Sequence, residues 1–167
     1  MIRQRLGKDL LFFDGGMGTL LQEKGLAPGE LPETWNLTHS EEIYKIHRQY
    51  IEAGSDIILT NTFGANALKF HDDSCSLEEI IKAAVSHVKK AEREALLQTG
   101  DERKIYTALD VGPTGKLLKP MGDLEFETAY EAFKEVVILG EQAGADLIHI
   151  ETMSDTYELK AAVLAAK

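Results

Sequence analysis

The chain carries one ten-residue pattern twice. Residues 53–62 read AGSDIILTNT and residues 143–152 read AGADLIHIET, so the second copy begins 90 positions after the first. Each copy opens with the small residue and glycine typical of a helix end, and continues with an apolar run too short to form a helix. The pattern therefore predicts two buried strands, each delivered by a helix, with Asn61 and Glu151 at matching polar ends.

A further strand is expected between the two copies. A βα unit takes roughly 30 to 45 residues, so the offset leaves room for one more unit, and KIYTALDVG at residues 104–112 supplies its strand. Residues 10–14 supply a strand ahead of the first copy, while residues 56–62 and 146–152 are the repeated strands. The predicted helices are residues 40–53 capped by Ser40, residues 77–98 capped by Ser76 and ended by Gly100 and Asp101, residues 126–143, and residues from 155 onward.

Strict alternation of strands and helices favours an α/β fold with a parallel sheet covered by helices. A doubly wound nucleotide-binding sheet and a (β/α)8 TIM barrel both fit this order. The turn at residues 14–19, DGGMGT, lacks the Gly-x-Gly-x-x-Gly spacing of dinucleotide sites, and the internal repeat favours the barrel. Since a whole barrel takes about 250 residues, residues 1–167 are predicted to be its N-terminal half, the first four βα units.

Charge and composition narrow the choice of partners. The chain has 18 basic and 28 acidic residues and a net charge of −10, which disfavours nucleic acid and anionic membranes. No apolar run approaches the roughly 18 residues of a membrane span, and a single cysteine, Cys75, forms no internal disulfide. We therefore expect a cytoplasmic protein with a small-molecule ligand, and self-association through the unpaired edges of the half barrel.

The polar residues that close the predicted strands are the candidate ligand contacts, because barrel ligands bind at strand carboxyl ends. They are Asp14, Asn61, Asp110 and Glu151, of which Asp110 is the weakest candidate. Two carboxylates across the half barrel can hold an ammonium group, and N–H groups of the glycine-rich turn can hold a carboxylate. This combination predicts an amino-acid site; the alternative is that these side chains only cap helices or bond loop amides. His149 shares strand parity with Glu151 and is expected to be an inward core residue.

Four motifs in register give the chain its resemblance to the homocysteine S-methyltransferase family. They are DGGMGT at residues 14–19, TNTFGAN at 60–66, GPTG at 112–115 and IETMSD at 150–155. Each motif alone is weak, but together they cover nearly the whole chain. Within the family the chain is most similar to the N-terminal homocysteine-binding module of cobalamin-dependent methionine synthases, from WNL at 35–37 through residues 47–66.

The resemblance implies a (β/α)8 barrel that binds homocysteine and activates its thiol on zinc, because a zinc-bound thiol is deprotonated at neutral pH. Methylcobalamin, recharged from methyltetrahydrofolate on other modules, is the implied methyl donor. The implied substrate contacts are Asp14 and Glu151 for the ammonium group, the N–H groups of Gly15, Gly18 and Thr19 for the carboxylate, and Asn61 and Thr62 for the pocket wall.

The chain departs from the family at the metal. The family's zinc ligands are three cysteines on later strands, whereas this sequence has only Cys75, ahead of a helix. We therefore expect no catalytic and no metal-binding residue in this chain, which is inactive alone although its parent enzyme methylates homocysteine. Three alternatives stay open: a stand-alone homocysteine methyltransferase using betaine or S-methylmethionine, a non-catalytic amino-acid-binding module, and a purely structural half barrel.

Overall fold

The computed structural model describes residues 2–70, 74–100 and 103–167, so Asp101 lies outside the described residues. Its centre is a parallel three-stranded sheet in the order β1-β2-β3. Ile58 lies opposite Thr107, and Leu109 lies opposite Ile148. The strands are β1 (Ile57–Leu59), β2 (Tyr106–Val111) and β3 (Leu147–Ile150). The parallel order confirms the predicted α/β class.

The N-terminal segment, residues 10–14, differs from the prediction. It makes one isolated parallel bridge, between Phe13 and Ile57, and is not a strand. The Asp14 N–H donates to the Ile57 carbonyl at 3.0 Å, and the Ile57 N–H donates to the Phe12 carbonyl at 3.0 Å. The segment has β1 as its neighbour on one side, and Phe12 and Phe13 remain largely exposed. One-sided pairing explains why the ladder stays short.

Six α-helices cover the sheet or its ends in the part of the chain that the structure describes. They are α1 (Met17–Glu23), α2 (Trp35–Thr38), α3 (Ser40–Ala53), α4 (Leu77–Thr99), α5 (Phe126–Ala143) and α6 (Thr156–Ala165), with 3₁₀ turns at Ile2–Gln4 and Pro32–Thr34. The sequence did not predict α1, α2 or the 3₁₀ turn Pro32–Thr34, whereas the turn Ile2–Gln4 lies within a short polar helix or turn that the sequence indicates around residues 2–8. Among the described residues, every helix is too short or too polar to cross a membrane.

The helix ends show which local signals were reliable. Ser76 caps α4 as predicted: its Oγ accepts the Glu79 N–H at 3.2 Å, and the Glu79 carboxylate accepts the Ser76 N–H at 2.8 Å. The predicted Ser40 cap was wrong. His39 holds the N-cap position of α3 because it also ends α2, which places Ser40 inside the helix.

The sheet separates two apolar layers by strand parity. One face packs against the helices through buried residues that include Ile58, Leu109 and Val111. The opposite, concave face carries a smaller cluster of Ile57, Tyr106 and Ala108. The Phe13 and His149 rings lie 4.9 Å apart, and His149 has the strand parity of this concave face.

The two repeats begin with the same backbone clamp. Gly54 and Gly144 end α3 and α5 with φ of +113° and +94°, which glycine adopts without strain. The Asp56 N–H donates to the Phe12 carbonyl at 2.7 Å, and its Oδ2 accepts the Phe12 N–H at 3.1 Å. Asp146 makes the same pair of bonds with Thr107, at 2.8 and 2.9 Å. The repeated sequence therefore repeats the start of a strand.

Candidate functional site

A cleft of about 450 Å³ lies at the carboxyl ends of β1 and β2. Its wall consists of the glycine-rich turn after the N-terminal segment, the 3₁₀ turn Pro32–Thr34, the residues that close β1 and β2, and Glu151 after β3. Parallel α/β sheets bind their ligands at this edge. The cleft is therefore the candidate functional site.

Four carboxylates line the cleft: Asp14, Glu33, Asp110 and Glu151. Asp110 and Glu33 are 7% and 3% exposed, whereas the Glu151 side chain retains 37% exposure at the mouth. The Oδ2 atom of Asp14 accepts the Leu59 N–H at 3.1 Å. The Oε1 atom of Glu33 accepts the N–H of Gly64 at 2.5 Å. The cleft thus combines two deeply buried carboxylates, Asp110 and Glu33, with a part-buried one, Asp14, and one at its rim, Glu151.

Burial changes the proton affinity of two of these groups. It raises the pKa of Asp14 to about 7, against the opposing hydrogen bond from Leu59 and with added repulsion from Glu151. It raises the pKa of Asp110 to about 8, with further repulsion from Glu151, Asp14 and Glu33. A positively charged ligand would favour the ionised form of both groups. The electrostatics of the cleft therefore suit a cation.

Asn61 joins the end of β1 to the 3₁₀ turn. Its Nδ2 donates to the Pro32 carbonyl at 2.7 Å, and its own carbonyl accepts from Asn36 Nδ2 at 2.8 Å. Asn61 and Asn36 are both buried, and their two hydrogen bonds fix the turn that carries Glu33 over the end of the strand. Asn61 therefore lines the cleft and also holds its wall in place.

Two threonine hydroxyls position Asp110. Thr62 Oγ1 donates to the Asp110 carbonyl at 2.8 Å, and the Asp110 N–H donates to Thr60 Oγ1 at 3.2 Å. The two hydroxyl oxygens lie 2.7 Å apart, which closes the network. These bonds involve the backbone of Asp110 and leave its carboxyl group facing the cleft.

The glycine-rich turn supplies backbone to the cleft wall. Gly15, Gly16 and Gly18 line it, and α1 begins directly after Gly16, which has no side chain to cap the first N–H groups. A Cβ on Gly15 would lie 2.8 Å from the hydroxyl oxygen of Tyr50. Tyr50 also donates to the Gly16 carbonyl at 3.3 Å. A side chain at position 15 would therefore require Tyr50 to move.

The structure brings five of the seven predicted substrate contacts to the cleft: Asp14, Gly15, Gly18, Asn61 and Glu151. It does not bring Thr19 or Thr62 there. Thr19 is exposed in the first turn of α1, and Thr62 is buried with its hydroxyl bonded to β2. Neither side chain lines the cleft, and the predicted contacts of the Thr19 N–H with the substrate carboxylate and of Thr62 with the pocket stay predictions.

Both Glu33, which the sequence did not mark as a candidate, and Asp110, which it ranked as the weakest strand-end candidate, line the cleft. Glu33 lies in a loop without periodicity, so no local pattern marked it. Asp110 has the strand parity of Tyr106 and Ala108, which face the concave side, and this parity was an available signal.

No group of three His, Cys, Asp or Glu side chains among the described residues is arranged to hold a metal ion. Cys75 packs beside the helix-facing cluster and does not line the cleft. The cleft offers carboxylate oxygens, whereas thiolate and imidazole are the ligands that structural and catalytic zinc sites favour. The residues present therefore do not fit a zinc site.

Comparison with known proteins gives a family match over most of the chain. The model of the homocysteine S-methyltransferase family matches residues 11–167. Methionine synthase from Mycobacterium leprae is 32% identical over 170 residues, which cover 98% of this chain. Methionine synthase from Mycobacterium tuberculosis is 33% identical over 168 residues, or 97% of this chain. The chain spans only 14% of the length of either relative.

Solved structures give the same answer for the fold. The homocysteine methyltransferase MmuM from Escherichia coli matches in its oxidised form with a TM-score of 0.83 and 23% identity, covering 98% of this chain and 60% of that one. Its metallated form matches with a TM-score of 0.83 and 22% identity, covering 98% and 61%. The family match over nearly the whole chain confirms the resemblance carried by the four sequence motifs, and the chain belongs to the homocysteine S-methyltransferase family.

Proposed function

We propose that this chain is the first half of a (β/α)8 barrel whose strand-end cleft binds homocysteine for methylation at sulfur. The observation that carries the proposal is the pairing, in one cleft, of carboxylates with a glycine-rich turn. An amino acid presents one ammonium and one carboxylate group, and the two halves of the cleft complement them. The half-barrel architecture is supported by structural neighbours of which this chain covers about 60%.

The substrate is bound by its two charged groups. Asp14 and Glu151 attract the ammonium group, and the backbone N–H groups of residues 15–19 receive the carboxylate. Asn61 holds the wall, and Met17 and Phe63 offer apolar contact to the carbon chain that carries the thiol. Thr62 acts indirectly in this arrangement, because its hydroxyl positions Asp110.

Activation of the thiol belongs to the parent enzyme. We place the zinc ligands outside this sequence, since the described residues do not form a zinc site, and this chain's residues bind and orient the substrate without a chemical step of their own. Likeness to methionine synthases supports methylcobalamin as donor, with methyltetrahydrofolate acting through other modules. The chain alone is expected to transfer no methyl group.

Calorimetric titration of the 167-residue chain with L-homocysteine tests the binding function. We expect Asp14→Asn and Glu151→Gln each to weaken binding by about tenfold or more, because each removes a charge from the ammonium site. Glu158→Gln is the matched control, since Glu158 is buried outside the cleft and bonded to Thr114 at 2.6 Å. Absence of binding, or equal losses in all three variants, would contradict the proposal.

A methyl-transfer assay separates the remaining functions. The chain with added zinc and methylcobalamin is expected to give no methionine, and turnover would overturn the half-barrel proposal. A non-catalytic amino-acid-binding module is favoured by the lack of a metal-binding group among the described residues. It predicts that homoserine and homocysteine bind equally. Methionine formation from betaine or S-methylmethionine by the parent enzyme would instead identify a different donor.

The unpaired edge of the sheet is a surface at which a partner chain can bind. β3 pairs only with β2 among the described strands, so its outer backbone groups are available to another chain. We propose that a second copy pairs at this edge and at the N-terminal segment. Sedimentation equilibrium of the chain is expected to show a dimer, and a monomer at all concentrations would refute the pairing.

A further inference from the structure

A histidine on α4 joins that helix to the wall of the cleft. The Nε2 atom of His87 lies 2.7 Å from the carbonyl oxygen of Asn36, which belongs to α2. Because a carbonyl oxygen only accepts hydrogen bonds, Nε2 carries the proton in this contact and donates it. His87 is part-buried and does not line the cleft. It therefore reaches the cleft only through another residue.

The contact continues a line of hydrogen bonds into the cleft. Asn36 Nδ2 donates to the Asn61 carbonyl at 2.8 Å, and Asn61 Nδ2 donates to the Pro32 carbonyl at 2.7 Å. Pro32 and Glu33 line the cleft, and Glu33 Oε1 accepts the Gly64 N–H at 2.5 Å. Asn36 and Asn61 are both buried, which shields these bonds from competing water. The line therefore runs from α4 to the turn that carries a carboxylate of the cleft wall.

The segment that His87 contacts is too short to hold its own shape. The 3₁₀ turn Pro32–Thr34 has three residues and α2 (Trp35–Thr38) has four. Helical turns of this length are unstable alone, because fixing their backbone costs more than their few internal hydrogen bonds return. Both turns pack against α4, and Trp35 packs with residues of α1 and α3. The hydrogen bond from His87 therefore adds a polar attachment to α4 where tertiary contacts have to supply the order.

A second histidine in this region makes no such contact. His47, on α3, is fully buried, and neither of its ring nitrogens has a hydrogen-bond partner among the described residues. Burial, together with repulsion from His87, lowers the pKa of His47 to about 3, so its ring is neutral in the folded chain at neutral pH. His87 is therefore the histidine whose hydrogen bond leads to the cleft wall.

We propose that His87 is a positioning residue for the cleft, which holds the turn that carries Glu33 in place through Asn36 and Asn61. A wall that is fixed before the ligand arrives favours binding, because the ligand does not have to order it. The apparent affinity falls with the fraction of molecules whose wall is in place. The inference deepens the proposed function, and its binding test rests on that function.

Three variants of the 167-residue chain test this role. His87→Leu removes the donor, whereas His87→Gln keeps an N–H donor at a similar reach. Val88→Ala is the matched control, because Val88 is the next residue of α4 and is fully buried in a cluster with α3 and β1 that does not line the cleft. Thermal melting establishes that each variant is folded. Val88→Ala is expected to lower the melting temperature at least as much as His87→Leu, because it leaves a cavity in the core.

Calorimetric titration with L-homocysteine measures the effect on binding. We expect His87→Leu to weaken binding about fivefold, because one hydrogen bond that fixes the wall is lost. His87→Gln and Val88→Ala are expected to bind within about twofold of the unaltered chain. Equal losses in His87→Leu and Val88→Ala, or equal losses in the two His87 variants, would overturn the inference.

Amide hydrogen exchange tests the same role without a ligand. The Gly64 N–H, bonded to Glu33, reports on the turn, and the Thr60 N–H, which donates to the Ala108 carbonyl at 2.9 Å, is the reference at the end of β1. His87→Leu is expected to speed exchange at Gly64 about fivefold relative to Thr60, because the turn opens more often. His87→Gln should leave this ratio unchanged, and Val88→Ala should speed both amides alike.

The two measurements separate the inference from the function on which its binding test rests. If His87→Leu raises the exchange ratio but the unaltered chain binds no homocysteine, the positioning of the wall stands and the proposed function fails. If the chain binds homocysteine, an unchanged affinity or an unchanged exchange ratio in His87→Leu overturns the inference and leaves the proposed function intact.

Discussion

β1 and β3 begin alike and end differently. At their starts, Asp56 and Asp146 each bond both backbone groups of one residue on the neighbouring segment. At their ends, Asn61 is buried with both sides bonded, whereas the half-exposed Glu151 lies 3.6 Å from His149. Repeated sequence therefore reproduces the backbone geometry of the strand starts and not the surroundings of the strand ends.

The surroundings differ because of position in the sheet. β1 lies between β2 and the N-terminal segment, and the 3₁₀ turn Pro32–Thr34 is bonded to its end. β3 is the edge strand, and its end is open. The end of β1 therefore supports the cleft wall, whereas the end of β3 leaves the Glu151 carboxylate available to a ligand.

The largest contrast is expected at the threonines that follow these ends. Thr62 is buried and bonded, so Thr62→Gly should lower the free energy of unfolding by about 3 kcal/mol. Thr152, its repeat equivalent, has φ of +59°, a strained value for a β-branched residue. Thr152→Gly should raise the free energy of unfolding by about 0.5–1 kcal/mol. Urea denaturation checks both, and effects of the same sign would break the comparison.

The second-largest contrast in unfolding free energy is expected between Asn61 and Glu151, the polar residues that close the two strands. Asn61→Ala removes a buried donor and leaves the Pro32 carbonyl unpaired, which should cost about 2 kcal/mol of unfolding free energy. Glu151→Ala should change it by less than about 0.5 kcal/mol, because the side chain is half-exposed. The same urea titrations measure both, and equal losses would mean that the end of β3 is also structural.

Asp110, on the strand between the two ends, should give a pH-dependent effect. Its folded pKa of about 8 exceeds the ordinary value of 3.8, so the folded state binds the proton more tightly. Its stabilising contribution is complete below pH 4 and is lost as pH rises through about 8. Asp110→Asn, which does not ionise, should match the unaltered chain near pH 4 and exceed it by up to about 5 kcal/mol at pH 8.5, since each unit of pKa shift corresponds to about 1.4 kcal/mol. A constant difference across urea melts at these pH values would contradict the burial of a titrating carboxyl.

The smallest difference is expected where the repeats agree. Asp56→Ala and Asp146→Ala each remove an acceptor from one backbone N–H and should each cost about 1 kcal/mol. Their losses in urea denaturation should agree within about 0.5 kcal/mol. A larger gap would show that the ion pair of Asp146 with Lys89, at 2.7 Å, matters more than the clamp.

Sequence reasoning was accurate where local chemistry sets the structure. The predicted helix 126–143 matches α5 at both ends, and Gly144 terminates it in a left-handed conformation. Ser76 and Glu79 fixed the start of α4 in the same local way. The N-terminal segment was over-predicted, since an apolar run does not reveal that it has a neighbour on one side only.

The cleft was predictable only in part, because its key contacts join distant parts of the chain. Asp14 and Glu151 close predicted strands and were found from strand order. Glu33 became visible only through its bond to Gly64, which lies 31 residues further along the chain. Thr62 was placed in the pocket wall because sequence does not show that its hydroxyl is already bonded to β2.

An optical reporter lies directly after the turn that carries Glu33. Trp35, the first residue of α2, follows Glu33 by two positions and is the single tryptophan of the chain, so all indole emission comes from this side of the cleft wall. Its ring is buried and stacked on His39 at 4.0 Å, and its Nε1 donates to Glu30 at 2.7 Å. A ligand that draws on Glu33 would disturb this environment, which makes binding at the cleft measurable by fluorescence without any label.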